Sequence, residues 1–258
     1  MRTPLAVWRL LRSVLHVLHG MAVMTRFPAL DAAGRRQRIQ WWSAKLLRTM
    51  GLRLHASGTP HPGATLLVAN HVSWLDIAAI HAVAPQARFV SKAEVLHWPL
   101  LGWLVKGAGT IFIERERKRD ALRVVHQVAE SLADGDTVAV FPEGTTTDGR
   151  ALLPFHANLL HAAVTTGTPV QPVALRYSDA AQAISPAAEY IGDTTLGQSL
   201  WRIASARGLA VHVALLPAED SRNGDRRALA QALRERIEAA LAAGSAAGSA
   251  AGAGQGRS

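Results

Sequence analysis

The chain of 258 residues contains no cysteine. Disulfide bonds, thiolate metal sites and a cysteine nucleophile are therefore excluded, whereas the redox compartment stays open. Charged residues are also few, at 18% of the chain, while hydrophobic residues make up 49%. This apolar content is ample for a core and excludes disorder of the whole chain. The length fits one domain of the larger kind, with extra segments at its ends.

Acidic residues are scarce relative to basic ones. The 28 Lys and Arg stand against 19 Asp and Glu, which gives a formal net charge of +9. Such an excess is typical of proteins with anionic partners, among them nucleic acids, anionic lipids and phosphorylated substrates. A mean hydropathy of +0.10 is unusual for a nucleic-acid binder and favours a membrane surface. An arginine-rich composition can also reflect a GC-rich genome alone.

The N-terminal segment lacks a long uncharged apolar run. Residues 5–28 are mostly apolar, but three arginines interrupt them, and a spanning helix needs ~20 residues. No small-residue cleavage site follows, so a signal peptide is not expected. Residues 1–57 are predicted to form amphipathic helices at a membrane surface, with 37–50 pairing with the first stretch; a two-helix cap on a soluble core is the alternative. Three tryptophans suit the headgroup level of a bilayer: Trp8, Trp41 and Trp42.

Short apolar runs alternate with helical periodicity in the middle of the chain. The predicted strands are 65–69, 87–91, 109–114, 137–141, 170–177 and 210–216, and the predicted helices are 74–83, 120–133, 155–166 and 226–241. This alternation predicts an α/β fold with a mixed, largely parallel sheet flanked by helices, over residues 58–240. The segment 241–258 is rich in Ala, Gly and Ser and is predicted to be a disordered tail.

A histidine and an aspartate follow the first predicted strand, at the sheet edge where α/β folds carry their chemistry. In one interpretation Ser73 and Asp76 form an S-x-x-D capping box that starts a helix, and His71 is structural. In the other, His71 lies in the turn and Asp76 in the first helical turn. The carboxylate then fixes the imidazole tautomer and makes the other ring nitrogen more basic. The pair is therefore a candidate general base.

No protein nucleophile accompanies this pair in the sequence. The chain has neither a cysteine nor a G-x-S-x-G elbow. A covalent intermediate is poorly supported, and the pair favours direct attack by a hydroxyl of the substrate.

Polar turns follow two further predicted strands. Arg115 comes immediately after the third strand and is a candidate phosphate ligand, because a guanidinium binds phosphate in a bidentate manner. Glu143 follows the fourth strand and is expected at the same edge as His71. Gly144 and Thr145 come next and can offer backbone N–H groups and a hydroxyl to a substrate. Ordinary solvated turns are the alternative for each run taken alone.

Together these motifs resemble those of the glycerophospholipid acyltransferases, in particular the bacterial 1-acyl-sn-glycerol-3-phosphate acyltransferases. Four ordered blocks carry the resemblance: N-H-x-x-x-x-D at 70–76, a block ending in arginine at 109–115, F-P-E-G-T at 141–145 and T-P-V-Q-P-V at 168–173. The similarity spans roughly residues 58–177. Four blocks in order are highly specific, whereas the first block alone is not.

The resemblance implies transfer of a fatty acyl group from acyl-CoA or acyl carrier protein to the free hydroxyl of a lysolipid. It implies that His71 is the general base and Asp76 its orienting partner. The substrate-binding residues that it implies are Arg115, Glu143, Gly144 and Thr145. No metal or cofactor is implied. The resemblance also implies that the partners of the protein are membrane lipids. The implied location is the cytoplasmic face of the inner membrane, where the protein would be monotopic or peripheral.

One departure from the family pattern concerns the acceptor. The family usually has arginine after Glu-Gly-Thr, whereas this chain has Thr146 and Thr147. Threonine-rich versions resemble a subgroup that includes the lyso-ornithine lipid acyltransferases. The expected acceptor is 1-acyl-sn-glycerol-3-phosphate, which would give phosphatidic acid, and the alternatives are lyso-ornithine lipid or another lysolipid.

Two rival functions come from other classes. A non-catalytic, lipid-binding membrane scaffold would retain the fold, although it would have no need of the pair of His71 and Asp76. A nucleic-acid-binding protein would use the basic charge, but the tryptophans lie beside apolar runs and are not interleaved with the basic residues. Nucleic acid is therefore not an expected partner.

Overall fold

The computed structural model describes residues 3–92, 110–113, 118–222 and 224–254. Seven strands lie within these ranges: β1 (Arg53–Ser57), β2 (Thr65–Ala69), β3 (Ala87–Lys92), β4 (Ile111–Ile113), β5 (Thr137–Val140), β6 (Val170–Ser178) and β7 (Ala210–Leu215). They form one sheet in the order β1-β7-β6-β2-β5-β3-β4. Neighbouring strands pair in parallel except β6 and β7, which are antiparallel. The prediction of a mixed, largely parallel sheet is confirmed.

Helices cover both faces of this sheet. Their bounds are α1 (Thr3–Met24), α2 (Ala32–Thr49), α3 (Asp76–His81), α4 (Lys118–Ala133), α5 (Leu160–Thr166), α6 (Leu196–Ser205) and α7 (Arg226–Gly254), with a 3₁₀ turn at Phe27–Ala29. One core layer packs α2, α3 and α6 against the sheet through residues such as Leu47, Ile80 and Ile203. The other packs α4, α5 and α7 through residues such as Val128, Leu160 and Leu233.

Burial on both faces explains why the central strands have continuous apolar sequences. Every residue of β2 and β5 is buried. Successive side chains alternate between the two faces of a strand, so Leu67 enters one core layer while Leu66 and Val68 enter the other. β2 pairs with β5 up to Val68 and Val140. The turns that follow these two strands therefore leave the same edge of the sheet side by side.

The N-terminal helix is held to the domain by specific contacts. α1 packs on α2 and α6, and Arg9 Nη1 donates hydrogen bonds to the carbonyls of Ala204 at 2.9 Å and Ala206 at 2.7 Å. These carbonyls lie at the end of α6, where a helix leaves acceptors unsatisfied. In the part of the chain that the structure describes, no helix combines the length and apolarity needed to cross a bilayer.

Two of the tryptophans assigned to a headgroup level lie instead between the helices. Trp42 stacks on His16 of α1 at 5.1 Å between ring centroids. Trp41 meets the same imidazole edge-on at 5.8 Å and lies under the ammonium of Lys45. Trp8 is exposed. The indole of Trp42 lies against Gly20 of α1, and an indole buries more apolar area by packing on a neighbouring helix than by facing solvent.

The C-terminal segment differs from its prediction. α7 continues to Gly254, through residues expected to form a disordered tail from 241 onward. Alanine has the highest helix propensity of all residues, and the repeats of this segment contain two alanines for each Gly-Ser pair. Composition alone misjudges the segment because low complexity does not exclude a helix that extends an existing one.

Candidate active site

His71 lies in the turn that follows β2, and the preceding residue fixes where the turn begins. The side-chain amide of Asn70 donates to the carbonyl of Leu175 at 2.9 Å, and its oxygen accepts from the Leu175 nitrogen at 2.7 Å. These two bonds continue the ladder between β2 and β6 beyond Ala69, the last paired residue of β2. The main chain is thus free to leave the sheet at His71 while β6 keeps its partners.

Asp76, the first residue of α3, holds this turn from within. Its Oδ2 accepts hydrogen bonds from the backbone nitrogens of Val72 at 2.7 Å and Ser73 at 2.9 Å. The same oxygen accepts from His71 Nδ1 at 2.8 Å. The side chain of Asp76 is fully buried. The two interpretations of the sequence therefore describe one carboxylate, which closes the start of a helix and also orients an imidazole.

The capping box itself is incomplete. Among the described residues, nothing hydrogen-bonds the buried hydroxyl of Ser73, and the residue at the helix cap is Leu75, without a side-chain bond. Asp76 makes the acidic half of the motif alone. The spacing of Ser73 and Asp76 thus reflects the tight turn around the carboxylate and not reciprocal capping.

The imidazole of His71 is fixed on one side and accessible on the other. Its ring stacks on Phe141 at 4.0 Å between centroids, with the planes 13° apart. Because a carboxylate oxygen only accepts, Nδ1 carries the hydrogen in the neutral ring and Nε2 carries the lone pair. No described residue hydrogen-bonds Nε2, and the side chain is 20% exposed. Nε2 is therefore available to an incoming hydroxyl.

Glu143 supports the backbone of the same histidine. Oε1 accepts from the His71 nitrogen at 2.7 Å, and Oε2 accepts from the Leu153 nitrogen at 2.9 Å. Burial raises the pKa of Glu143, while the hydrogen bonds from Leu153 and His71 act in the opposite direction. Both carboxylate oxygens have protein partners in a residue that is only 4% exposed.

The two threonines in place of the family's arginine make specific contacts. Thr147 donates to the carbonyl of His71 from its nitrogen at 2.8 Å and from its hydroxyl at 3.3 Å. Thr146 donates its hydroxyl to the carbonyl of Tyr190, and the Tyr190 nitrogen donates to Val72 at 3.1 Å. Sequence reasoning treated these threonines only as a departure. Their contacts are long-range and leave no local signal.

Tyr177 is a further residue that sequence reasoning missed. It lies near the end of β6, fully buried, and its hydroxyl donates to Asp76 Oδ1 at 2.7 Å. Burial, and after it the charge of Asp76, raises the pKa of Tyr177 well above its usual value. A tyrosine that ends a buried strand needs a partner for its hydroxyl, and this was the available signal.

Fewer contacts define the remaining predicted site residues. Gly144 and Thr145 are exposed in the turn after Glu143, and Gly144 has φ of 73°, a conformation that suits glycine. Arg115 lies outside the described residues. Within the described ranges, His, Asp and Glu side chains form no group of three that could hold a metal ion.

Comparison with known sequences identifies relatives of this chain. A family model described as Acyltransferase matches residues 53–176. A lyso-ornithine lipid O-acyltransferase of Pseudomonas aeruginosa is 40% identical over 214 residues, which cover 82% of this chain and 81% of the relative. A 1-acyl-sn-glycerol-3-phosphate acyltransferase of Neisseria meningitidis serogroup B is 40% identical over 178 residues, 69% of each chain.

Comparison with solved structures gives the same fold. The 1-acyl-sn-glycerophosphate acyltransferase of Thermotoga maritima superposes with a TM-score of 0.70 at 21% sequence identity, over 93% of this chain and 96% of the other. The resemblance drawn from the four sequence blocks is confirmed by these matches. The chain belongs to the acyltransferase family.

Proposed function

We propose that the protein transfers a fatty acyl group to the free hydroxyl of a lysolipid, with 1-acyl-sn-glycerol-3-phosphate as the first acceptor and phosphatidic acid as the product. The observation that carries this proposal is the contact of His71 with Asp76 at 2.8 Å. The contact orients the imidazole and leaves Nε2 without a described protein partner, at the sheet edge where substrates of α/β folds bind.

His71 acts as the general base in this mechanism. Nε2 accepts the proton of the acceptor hydroxyl while the hydroxyl oxygen bonds to the carbonyl carbon of a thioester. The carbon–sulfur bond then breaks, and the imidazolium returns the proton to the departing sulfur. Asp76 stabilises the imidazolium through Nδ1. Because the thioester is already activated, a positioned base contributing about 10²- to 10⁴-fold is the main requirement.

Glu143 serves this mechanism through the backbone of His71. Its two oxygens accept hydrogen bonds from the nitrogens of His71 and Leu153, and the residue is only 4% exposed, so little of the carboxylate is open to an acceptor. We therefore assign Glu143 a positioning role in place of the acceptor contact that the sequence suggested. Gly144 and Thr145 are exposed and stay candidates for holding the acceptor, together with Arg115.

Lyso-ornithine lipid is the second candidate acceptor. The relative with this name covers 82% of the chain, against 69% for the glycerophosphate acyltransferase at the same identity. Thr146 and Thr147 also replace a cation of the family pattern, and a zwitterionic headgroup needs fewer cations than a phosphomonoester. The acyl donor in either case is acyl-CoA or acyl carrier protein, and no further cofactor is required.

The outer face of α1 supports a membrane location. Seven apolar side chains on this face are 44–56% exposed: Leu5, Val7, Trp8, Leu11, Val14, Leu15 and Leu18. The opposite face is buried against the domain through Ala6, Ser13, His16 and Gly20. An apolar face of this size on a helix fixed to the protein suits insertion between headgroups. We propose that the protein lies on the cytoplasmic face of the inner membrane.

The test is an acyl-transfer assay with purified protein in anionic phospholipid vesicles. Each acceptor, 1-acyl-sn-glycerol-3-phosphate and lyso-ornithine lipid, is offered with acyl-CoA and with acyl carrier protein thioester. We expect turnover of one acceptor in the wild type, and loss of at least about 10²-fold in His71→Ala. His161→Ala, which changes an exposed histidine of α5, is the matched control.

Three outcomes separate the candidates. Product from lyso-ornithine lipid alone establishes the second acceptor. Vesicle binding without turnover of either lipid, under every donor, supports the lipid-binding scaffold and contradicts the enzyme. Equal activity of His71→Ala and His161→Ala contradicts the role of the imidazole.

A further inference from the structure

We propose that Tyr177 is a positioning residue that acts on His71 through Asp76, by donating its hydroxyl hydrogen to the carboxylate oxygen opposite the imidazole. The proposal deepens the proposed function and rests on it for its catalytic meaning. The linkage itself, from phenol to carboxylate to imidazole, is a physical property that can be measured without turnover.

The first argument is how the carboxylate of Asp76 is shared. Oδ2 accepts three hydrogen bonds, from His71 Nδ1 and from the nitrogens of Val72 and Ser73. Oδ1 accepts from Tyr177 at 2.7 Å. Asp76 is completely buried, so without the phenol Oδ1 would be a carboxylate oxygen far from water with no described donor. A charged acceptor left unpaired in a protein interior is costly.

The second argument is that the phenol is rigidly placed. Tyr177 pairs with Val211 across the antiparallel β6 and β7, and its carbonyl accepts from the Ser185 nitrogen at 2.9 Å. Two residues earlier, Leu175 is tied to Asn70, the residue directly before His71. The backbone of β6 is therefore held at Tyr177 by β7 and Ser185 and at Leu175 by the residue before His71, which keeps the hydroxyl close to the carboxylate.

The third argument separates this role from packing. Tyr177 is one of the largest fully buried side chains of the core, and a phenylalanine would fill nearly the same volume. Packing alone therefore explains the ring but not the hydroxyl. The hydroxyl sits beside a carboxylate whose other oxygen orients the base, and this position gives it an effect on proton affinity that an ordinary core residue lacks.

The direction of that effect follows from electrostatics. A hydrogen bond from the phenol draws negative charge toward Oδ1 and weakens the hold of the carboxylate on a protonated imidazole. Among the described residues, the titratable side chains beside the pair are Tyr177 from β6 and Glu143 from the loop after β5; the ring of His156 lies beside Gly144 in that same loop. Removal of the hydroxyl leaves Glu143 unchanged and makes Asp76 a stronger partner for imidazolium.

The experiment follows the ring signals of His71 by NMR as a function of pH, with labelled histidine and assignment from the signal lost in His71→Gln. In Tyr177→Phe the titration midpoint of this ring is expected to rise by about half a pH unit or more. Replacement of Tyr177 by 3-fluorotyrosine, a stronger hydrogen-bond donor of almost the same size, is expected to lower it. In active protein, the midpoint of the acidic limb of the kcat/KM pH profile is expected to rise in Tyr177→Phe and to fall with 3-fluorotyrosine.

The test has a matched control, and the two substitutions of Tyr177 are expected to move the titration midpoint in opposite directions. Thr137→Val removes a buried hydroxyl at the start of β5, at the other end of the sheet, where Thr137 donates to Gly63. It is expected to lower stability without moving the midpoint. An unchanged midpoint in the 3-fluorotyrosine protein overturns the proposal even if Tyr177→Phe fails to fold. An inactive wild type with shifted midpoints refutes the proposed function and leaves the linkage standing.

Discussion

The carboxylate of Glu143 accepts a hydrogen bond from the backbone nitrogen of His71 at 2.7 Å. One side chain of the F-P-E-G-T loop thus fixes the main chain of the N-H-x-x-x-x-D turn, and two of the sequence blocks form a single structural unit. Thr147 completes the unit from the same loop by donating to the His71 carbonyl. The imidazole is consequently positioned through its backbone as well as through Asp76.

Glu143→Gln tests whether this carboxylate positions the base or contacts the acceptor. The amide can accept from only one of the two backbone nitrogens, and its NH₂ then faces the other donor. We expect kcat to fall about 10-fold or more with KM for the acceptor nearly unchanged, because a misplaced base loses rate and not binding. Steady-state kinetics on the acceptor that the wild type turns over provide the measurement. A raised KM at unchanged kcat would show instead that Glu143 holds the acceptor.

His81 gives a prediction for stability as a function of pH. The residue ends α3, is buried, and its Nε2 contacts the carbonyl of Ala87 at 2.9 Å. Burial lowers its pKa from 6.5 to about 4. The folded state therefore binds this proton more weakly than the unfolded state, so the stability that His81 contributes is present above pH 6.5 and is lost as the pH falls toward about 4.

The measurement is urea unfolding between pH 7.5 and 4, for the wild type and His81→Gln. Other buried histidines contribute equally to both proteins, so the difference isolates His81. Relative to the variant, the wild type is expected to lose about 3 kcal/mol over this range. If the free energy of unfolding falls equally with pH in the two proteins, His81 is not buried as a neutral imidazole.

Arg9 provides a test of how α1 is attached. Arg9→Met keeps an apolar stem but removes the donors to Ala204 and Ala206 at the end of α6. We expect the free energy of unfolding to fall by about 1–3 kcal/mol, since two carbonyls lose a charged donor. Arg12→Met changes an exposed arginine of the same helix and is the control. Equal midpoints of thermal unfolding in the two variants would refute the contact.

The central strands could be predicted because a strand buried on both faces has a continuous apolar sequence. β2 was predicted at its observed bounds, and β5 and β6 to within one residue. β1 was missed because its sequence, R-L-H-A-S, has no apolar run; it is an edge strand with mostly exposed side chains, defined by pairing with β7. Strand order follows from such long-range pairing and could not be read locally.

The helices were likewise predicted only in part. α3 begins two residues later than predicted because residues 74–75 belong to the turn around Asp76. α5 begins five residues later than predicted, and in that interval the His156 nitrogen donates to the carbonyl of Pro142 at 2.9 Å and not to a helical partner. α6 was missed although Thr195 and Gln198 form a complete capping box, a signal that the sequence did contain. In the site, the pair of His71 and Asp76 could be proposed from spacing, whereas Tyr177 lies 101 positions from its partner.

The exposed face of α1 provides the last prediction. Leu15→Glu and Leu18→Glu place carboxylates on this face, where the leucines are 56% and 47% exposed and contribute little to the core. Binding to anionic vesicles is expected to fall by about 10-fold or more, because apolar area and electrostatic attraction are lost together. Thermal unfolding in solution should stay close to that of the wild type.

Leu122→Glu is the matched control for this experiment. Leu122 lies on α4 and is 66% exposed, so the substitution makes the same chemical change on another part of the surface. Vesicle sedimentation separates the two positions: a specific membrane face predicts loss of binding only for the α1 variants. If all three variants bind equally weakly, net charge governs the association, and the apolar face of α1 has no special part in it.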